Sequence, residues 1–311
     1  MQGGSINPRL SMLTPISDPI YLVQGKNKGR FPYSHSILIR TGSSGDVLID
    51  TGCGIEVLKQ LKQETDIRIV INSHTHPDHS AGNAVFSGNG SSLFVPTESI
   101  DTAGDITALS LRLTEPGELA RYWRDFVSET LGFADYTPTD TYDESILFSF
   151  DDVTLRPIYT PGHTVDHYCL YEPDRKILFS FDYDLTGFGP WYGHRESSIT
   201  EFIASIDRLL ELDIDCLVSG HKGIITDGII EGLSAYARVF DERDERILSH
   251  IQDGACSLDE LVDRSPIYGG FPYAEPLLRY WEGRMIELHL ERLIAAGRVV
   301  RGGDGRLAAG E

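Results

Sequence analysis

Three histidines and an aspartate fall within six positions of the chain, in the stretch INSHTHPDHSAGN at residues 71–83. Imidazole and carboxylate groups are common ligands of transition metals. In extended backbone, residues two apart face the same side, so His74 and His76 can point at one spot and Asp78 continues the series. His79 follows where a helix is expected to begin. Since one catalytic metal needs about three protein ligands and an open position, four such side chains can serve two neighbouring metal positions.

Three further candidate ligands follow downstream, each directly after a predicted strand. His163 lies in YTPGHTVDH, Asp182 in ILFSFDYD and His221 in CLVSGHKG. Strand ends gather on one edge of a packed sheet, where functional side chains commonly sit. Histidines without a partner nearby in sequence are interpreted as ordinary polar or core residues: His35, His250 and His289.

The elements that must position these side chains form two sheet-rich halves. Residues 35–52 read as a β-hairpin and 54–65 as a helix, and 67–74 is nearly all β-branched, which is typical of a buried strand. Residues at about 100–144 carry few strand signals and hold one predicted helix, so they are interpreted as an insertion. Strands resume between 145 and 221, with a helix among them.

From about residue 228 the pattern changes to helices, and the chain closes with two short strands about a glycine turn, RVVRGGDGRLAA. Ser257 and Glu260 fit a capping box at the start of one of these helices. Three helices followed by a β-wing predict a helical, winged-helix-like appendage. We therefore divide the chain into a catalytic region, 1–227, and a C-terminal region, 228–311.

In its motifs and their order, the chain resembles the metallo-β-lactamase superfamily. The HxHxDH motif stands at His74–His79, and LIDTG at 48–52 matches the strand and turn that the family places beneath its site. The resemblance covers roughly residues 20–225. It implies an α/β fold, a four-layer αββα sandwich with metals at one edge. Carried over by position, it implies one metal bound by His74, His76 and His163, a second bound by Asp78, His79 and His221, and Asp182 bridging both.

The complete ligand set implies two divalent metal ions. Zinc is the first expectation, and Mn or Fe is possible because these ligands suit several metals. Two departures from the family pattern concern metal spacing rather than ligand identity. The bridging aspartate usually follows glycine but here follows Phe181, and Ser219-Gly220 precedes the last histidine where Pro-Gly is common.

The resemblance implies a binuclear metal-dependent hydrolase. Two cations about 3.5–4 Å apart acidify a bridging water, and the resulting hydroxide attacks an electrophilic carbonyl. Asp78 is the expected catalytic residue, orienting the nucleophile and passing its proton to the leaving group. Histidine at position 76 argues against flavodiiron chemistry, and aspartate rather than cysteine at 182 argues against antibiotic hydrolysis. The expected substrate is a small-molecule thioester, lactone or ester, as in the glyoxalase II-like members.

Other activities occur on the same scaffold, including iron-dependent persulfide dioxygenases, phosphodiesterases and endoribonucleases. The C-terminal region resembles the tail of the β-lactamase-like protein 2 group, whose animal members are reported as endoribonucleases. However, the net charge is −20, and residues 241–311 hold nine Arg and no Lys against fourteen acidic residues. A nucleic-acid partner is therefore not expected. The tail is interpreted as a packing or homodimerisation element. A metal-bearing sensor or binding protein with vestigial turnover is a further alternative, which the complete ligand set disfavours.

Substrate contacts are expected from the loop TGFGPWYGHRES at 186–197, where Tyr192 and His194 are the candidates. Two aromatic residues of the insertion helix could wall the site, although helical spacing more often indicates core: Trp123 and Phe126. Two residues close to His163 are candidates for holding a metal ligand in orientation: Asp166 and His167.

The cellular setting is predicted from cysteines and apolar runs. Four scattered cysteines without a CxxC motif fit a reducing compartment. The chain shows no run of 18 apolar residues, and its first twenty residues lack the basic and apolar segments of a secretory signal. We therefore expect a cytoplasmic protein without a membrane contact.

Overall fold

The computed structural model describes residues 12–42, 44–88, 90–254 and 256–310. A first sheet has seven strands, in spatial order: β1 (Leu13–Ser17), β2 (Ile20–Val23), β3 (Ser36–Ile39), β4 (Asp46–Ile49), β5 (Ile67–Ile71), β6 (Ser92–Pro96) and β7 (Asp140–Tyr142). A second sheet has six strands: β8 (Phe148–Phe150), β9 (Val153–Tyr159), β10 (Tyr168–Glu172), β11 (Ile177–Phe181), β12 (Cys216–Ser219) and β13 (Gly223–Ile225). A separate C-terminal hairpin pairs β14 (Val299–Arg301) with β15 (Leu307–Ala309).

Eight α-helices accompany the strands in the described part of the chain: α1 (Ile55–Glu64), α2 (Pro77–Ser80), α3 (Ile106–Leu113), α4 (Glu118–Leu131), α5 (Ile199–Leu210), α6 (Ile229–Gln252), α7 (Leu258–Arg264) and α8 (Glu275–Ala295). None of the helices described is both long and apolar enough to cross a bilayer.

Alternation along the strands of the first sheet creates two separate apolar layers. In β4, Val47 and Ile49 belong to the cluster between the two sheets, whereas Leu48 joins a cluster on the outer face. That outer cluster includes Leu58 of α1 and Trp123 of α4. Successive side chains of a strand point to opposite faces, so one short apolar strand can serve both layers. Full burial of each such aliphatic side chain contributes roughly 1.5–3 kcal/mol.

The second sheet repeats this arrangement. Phe179 of β11 packs between the sheets, and its neighbour Leu178 packs outward in a cluster with Phe202 of α5 and Leu233 of α6. The layers therefore run helix, sheet, sheet, helix. The predicted α/β fold with a four-layer αββα sandwich is confirmed.

The C-terminal helices share the cores of the sandwich. Ile247 of α6, Leu290 of α8 and Val299 of β14 lie in the same buried cluster as Leu178 of the second sheet. Trp281 of α8 reaches the cluster on the outer face of the first sheet. The helical region with its short hairpin is present as predicted. Its winged-helix character and the boundary at residue 227 stay predictions.

The insertion at about 100–144 differs in detail from the expectation. It holds two helices, α3 and α4, and it ends in β7, which is the edge strand of the first sheet. The expectation that strands resume only after residue 144 is therefore wrong. Because β7 has three residues, it is too short to show an alternating pattern, and its parallel pairing with β6 defines it instead.

Candidate metal centre

The predicted ligands lie where strands end at one edge of the sandwich. His74 and His76 follow β5, and α2 begins at once with a proline in its first turn. Proline is well suited to that position because its fixed φ matches the helix and its missing N–H would be unpaired anyway. The short helix carries Asp78 and His79. The other predicted ligands follow the ends of strands in the second sheet: His163 after β9, Asp182 after β11 and His221 after β12.

The seven side chains meet as two adjacent groups. In the first group, the ligand atoms of His74, His76, His163 and Asp182 lie within 4.8 Å of one another, and in the second group the same holds for Asp78, His79 and His221. The groups join at one carboxylate. Its Oδ2 lies 3.0 Å from Nε2 of His163, and its Oδ1 lies 2.8 Å from Nε2 of His79. Such a bridging position is the one that the family resemblance implies for Asp182.

The donor set fits divalent cations. His74 Nε2, His79 Nε2 and Asp182 Oδ1 are buried and form no hydrogen bond with any residue of the described chain. His79 Nε2 and Asp182 Oδ1 are close, but they do not meet at hydrogen-bonding angles. A buried polar atom without a partner is costly, and buried polar groups are normally paired. Imidazole nitrogens and carboxylate oxygens that converge on a common point are what a metal ion requires.

Surrounding groups orient the imidazole rings. His163 donates from Nδ1 to the carbonyl oxygen of Trp191 at 2.8 Å, and His221 donates from Nδ1 to that of Gly29 at 2.8 Å. His79 Nδ1 lies 2.7 Å from a carboxylate oxygen of Asp50. These bonds fix the rings so that Nε2 faces the centre, as in metal sites with outer hydrogen-bonding partners.

The sequence analysis gave Asp50 no role. It is fully buried, and its carboxylate also accepts hydrogen bonds from the backbone N–H and the hydroxyl of Ser73. Ser73 Oγ lies 3.0 Å from Nδ1 of His74. One carboxylate thereby supports both His79 and the segment leading into the motif. The only indication in the sequence was its place in LIDTG, directly after β4.

The bridging carboxylate at the centre is ionised, and the imidazoles around it differ in their protonation. Burial disfavours ionisation of Asp182, but three neighbouring imidazoles outweigh it and hold the pKa of Asp182 well below its usual range. Burial lowers the pKa values of His74 and His76 well below the ordinary value. Burial would also lower the pKa of His221, but the Asp182 carboxylate overcomes it and raises that pKa to about 9. Burial would lower the pKa values of His79 and His163 as well, but the Asp182 carboxylate raises both; a bound cation would displace the protons that these rings hold.

A bulge in the second sheet places the bridging carboxylate. The pairing of β11 with β12 shifts register between Phe179 and Phe181, and Phe181 has a φ of 48°. Bulges re-aim side chains next to functional sites. The left-handed backbone explains why glycine is usual at this position in the family, and here phenylalanine adopts it. Gly220 meets a different constraint, because a Cβ there would lie 2.9 Å from the His79 ring.

A cavity of about 700 Å³ opens over the centre. Its floor includes five of the predicted ligands: His76, Asp78, His163, Asp182 and His221. Its walls are largely aromatic: Phe31, Trp123, Phe126, Trp191, Tyr268 and Trp281. The structure thus places both Trp123 and Phe126 where the hydrophobic-wall interpretation expects them, and Trp123 is at the same time part of the core.

The two predicted substrate contacts, Tyr192 and His194, lie in different surroundings. His194 lines the cavity, and its ring centroid lies 4.7 Å from that of His76. Tyr192 is fully buried and is not among the described residues that line the cavity. Its hydroxyl lies 2.6 Å from Nε2 of His289 and accepts a hydrogen bond from Arg243. The expectation that Tyr192 contacts substrate is wrong, because α6 and α8 cover this side of the loop.

Asp166 and His167 support the motif by different routes. Asp166 accepts hydrogen bonds from the backbone N–H and the hydroxyl of Thr75, which lies between two predicted ligands. Arg112 of α3 pairs with the same carboxylate at 2.6 Å and also with Glu196. His167 Nε2 lies 3.4 Å from the backbone nitrogen of Asp182. The orienting role expected of both residues is compatible with these contacts, and the sequence analysis missed Arg112.

Fold and site together define a protein with a two-part His and Asp centre, suited to divalent cations, at the edge of an αββα sandwich. Comparison with known proteins gives the family. Residues 29–221 match the model of the Metallo-beta-lactamase superfamily. Because this match spans more than half of the chain, the protein belongs to that superfamily.

Individual relatives are distant. The Lactamase-like protein aptB of Emericella nidulans is 27% identical over 71% of this chain, and the match spans 62% of that relative. The human Acyl-coenzyme A thioesterase MBLAC2 is 27% identical over 63% of this chain and 74% of its own length. A crystal structure of a metallo-beta-lactamase family protein from Thermus thermophilus covers 95% of this chain and 100% of its own, with a TM-score of 0.72 at 22% identity. That structural match extends the shared fold into the C-terminal region, and the β-lactamase-like protein 2 subgroup stays a prediction.

Proposed function

We propose that the protein is a thioesterase that hydrolyses small-molecule acyl thioesters at a centre of two divalent metal ions. The observation that carries this proposal is the cavity of about 700 Å³, which joins the predicted ligands to aromatic walls. A pocket with apolar walls and a few convergent polar groups suits an apolar acyl group whose reactive carbonyl reaches the polar floor.

Bound divalent ions would supply an activated water and polarise the carbonyl. The residues that would hold them are the seven of the two groups described above. The Asp78 carboxylate lies on the cavity floor, with Oδ2 3.5 Å from Nε2 of His221. A carboxylate in that position can accept a proton from the activated water. We assign to Asp78 the transfer of that proton to the departing thiolate.

The backbone around Asp78 holds its side chain in place. Its carbonyl oxygen accepts a hydrogen bond from Ser34 Oγ at 2.6 Å. A Cβ on Gly52 would lie 1.4 Å from the same carbonyl oxygen, so the LIDTG turn lies directly against it. This close contact gives a physical reason for glycine at the end of that turn. A general acid–base held in a fixed position can reach the same atom in every turnover.

The relatives support the thioester over the other expected substrates. The human relative is named an acyl-coenzyme A thioesterase. The net charge of −20 disfavours the alternative of an endoribonuclease or phosphodiesterase acting on nucleic acid, because a phosphate backbone would be repelled.

The test is a substrate panel with the protein loaded separately with Zn, Mn and Fe. It compares acyl-coenzyme A thioesters, acyl homoserine lactones, nitrophenyl esters and a nitrophenyl phosphodiester. We expect kcat/KM for the thioester to exceed that for the phosphodiester and the lactone by at least about a hundredfold, which is towards the upper end of what one methylene group contributes in an apolar pocket. Asp182→Ala is the matched inactive control. Faster turnover of the lactone or the phosphodiester, or activity retained in Asp182→Ala, would contradict the proposal.

A further inference from the structure

The cavity has two chemically different ends. At one end the ring of His76 lies 5.8 Å from Trp191 and 4.7 Å from His194, between ring centroids. Trp281 of α8 closes this end, with its ring 5.4 Å from that of Trp191. This aromatic end therefore adjoins the group of predicted ligands that contains His76 and His163.

The other end is basic. Lys28, Arg30 and Lys222 line the cavity and are exposed to solvent. Lys222 follows the ligand His221 directly in sequence, and Lys28 and Arg30 flank Gly29, whose carbonyl oxygen accepts the hydrogen bond from His221 Nδ1. This basic end therefore adjoins the group of predicted ligands that contains Asp78 and His221.

The segment that carries Lys28 and Arg30 is held against the body of the protein. Gly25 donates its backbone N–H to Nδ1 of His35 at 3.1 Å, and a Cβ at Gly29 would lie 2.5 Å from the same ring. Gly29 has a φ of 72°, so a larger residue would also be strained there. His35, which the sequence analysis read as an ordinary residue, thus fixes the place from which the two cations project.

Basic side chains are in the minority on this protein. The chain has 27 Lys and Arg against 47 acidic residues. Within the described chain, Lys28 and Arg30 form no ion pair, and Lys222 Nζ donates to the carbonyl oxygen of Leu185 rather than to a carboxylate. Among the described residues that line the cavity, Asp184 is the one acidic residue that is not a predicted ligand. It accepts a hydrogen bond from the Tyr236 hydroxyl. The basic end is thus a local positive region on an acidic protein.

We propose that the basic end binds a phosphate carried by the thiol half of the substrate, while the aromatic end binds the acyl half. This inference rests on the proposed thioesterase function and adds the class of leaving group and its direction in the cavity. The acyl chain would lie along Trp191 and Trp281, and the thiol would depart toward Lys28, Arg30 and Lys222. Exposed ammonium and guanidinium groups bind phosphate by charge-assisted hydrogen bonds, and they also attract an anion from solution.

The shared chemistry is that of a phosphorylated pantetheine arm, which is present both in coenzyme A and on acyl carrier proteins. Three cations line the basic end, so it can contact more than one phosphate, which the nucleotide of coenzyme A supplies and the arm of a carrier protein does not; this favours free coenzyme A. The experiment below separates the arm phosphate from the nucleotide phosphates, which occur in coenzyme A alone.

Binding is measured first, with thioethers that cannot be hydrolysed. S-octyl-coenzyme A, S-octyl-4′-phosphopantetheine and S-octyl-pantetheine are titrated by calorimetry into the metal-loaded protein at low and high salt. We expect the first to bind at least about tenfold more tightly than the last at low salt, since two or three exposed charge contacts each contribute a few-fold. High salt should reduce this difference in affinity, because it screens exposed charges. Tight binding of the phosphopantetheine ligand assigns recognition to the arm phosphate, and weak binding assigns it to the nucleotide.

Variants then identify the residues that cause the preference for the phosphorylated ligand. Lys28→Gln/Arg30→Gln should abolish most of the preference for S-octyl-coenzyme A. The control Lys59→Gln/Arg238→Gln removes the same charge from exposed positions outside the cavity lining and should keep the preference. At the other end, Trp281→Leu should change the ratio of affinities for S-octyl- and S-ethyl-coenzyme A by about tenfold, with Trp281→Phe intermediate. Thermal unfolding of each variant verifies that it is folded.

The inference is overturned if wild-type protein binds the phosphorylated and phosphate-free thioethers equally, or if the cavity variant and its surface control behave alike. Its failure is distinct from failure of the proposed function. Wild-type protein that hydrolyses acyl-pantetheine as fast as acyl-coenzyme A remains a thioesterase and refutes only the phosphate site. Wild-type protein that hydrolyses neither thioester refutes the proposed function.

Discussion

Replacement of Arg243 by Met should loosen the loop that orients the predicted ligand His163. Arg243 lies in α6, is 2% exposed, and donates from Nη1 to the carbonyl oxygen of Pro190 and from Nη2 to that of Phe188, both at 2.6 Å. It also donates to the hydroxyl of Tyr192. The loop residue between these contacts, Trp191, accepts the hydrogen bond from Nδ1 of His163 at 2.8 Å. One guanidinium therefore connects the C-terminal region to the predicted centre.

The magnitude follows from the partners that lose their donor. Each buried carbonyl oxygen left unpaired costs about 1–3 kcal/mol. The buried Pro190 carbonyl should lose the full free energy of an unpaired acceptor. Phe188 is 38% exposed, so water can hydrogen-bond its carbonyl oxygen and the free-energy loss there is smaller. Tyr192 keeps its 2.6 Å contact with His289. The sum is about 2–4 kcal/mol of unfolding free energy. Since partners that orient metal ligands commonly influence affinity by about 10–100-fold, metal binding should weaken on that scale.

Two measurements check this expectation. Urea denaturation of metal-free protein gives the change in stability, and competition with a chelator gives metal affinity. Arg243→Lys should fall between wild type and Arg243→Met, because one ammonium cannot span two carbonyl groups. Arg238→Met, an exposed position on the same helix, is the control and should stay within about 0.5 kcal/mol of wild type. A loss below about 1 kcal/mol together with unchanged metal affinity in Arg243→Met would refute the reasoning.

Three further predictions concern the centre and its support. Asp78→Asn should keep much of its metal while thioester turnover falls about a hundredfold or more, because an amide offers an oxygen ligand but does not accept a proton as a carboxylate does. Metal content and thioester turnover of the variant are measured together. Near-normal turnover with full metal would exclude the proton role of Asp78. Elemental analysis after reconstitution should give two metal ions per chain; a single tightly bound iron would instead favour the dioxygenase alternative. Burial opposes ionisation of Asp166, but Arg112 outweighs it and holds the pKa of Asp166 well below its usual range. This ion pair therefore stabilises the fold above about pH 4 and loses its contribution as the pH falls further. Asp166→Asn should lose about 3–5 kcal/mol at pH 7 and less at pH 3 in urea titrations, and an equal loss at both pH values would contradict the ion-pair explanation.

The ligand set could be predicted from the sequence because each member lies next to a recognisable strand. His74 and His76 follow a β-branched run, and His221 follows a short apolar run. Backbone geometry alone brings such strand ends to one edge once the sheets form. The largely apolar runs of β4 and β11 likewise show in the sequence, and burial of both faces of these strands is what the four layers require. The short edge strand β7 could not be found in the same way, because three residues carry no period.

The substrate side of the centre depended on contacts between distant parts of the chain. Tyr192 and His194 are two residues apart in one loop, but the structure buries the first against Arg243 and leaves the second in the cavity wall. Nothing local distinguishes them, since the outcome depends on where the later helices α6 and α8 pack.

From the sequence by itself, short-range periodicity and spacing within a few residues determined the candidate ligands, and the resemblance of these motifs to the metallo-β-lactamase superfamily implied the fold class. Only the tertiary structure decided that Asp50 supports His79, that a left-handed Phe181 aims Asp182, and that the cavity has one aromatic end and one basic end. Each of these features joins segments far apart in the chain, so each depends on how the layers pack rather than on any local pattern.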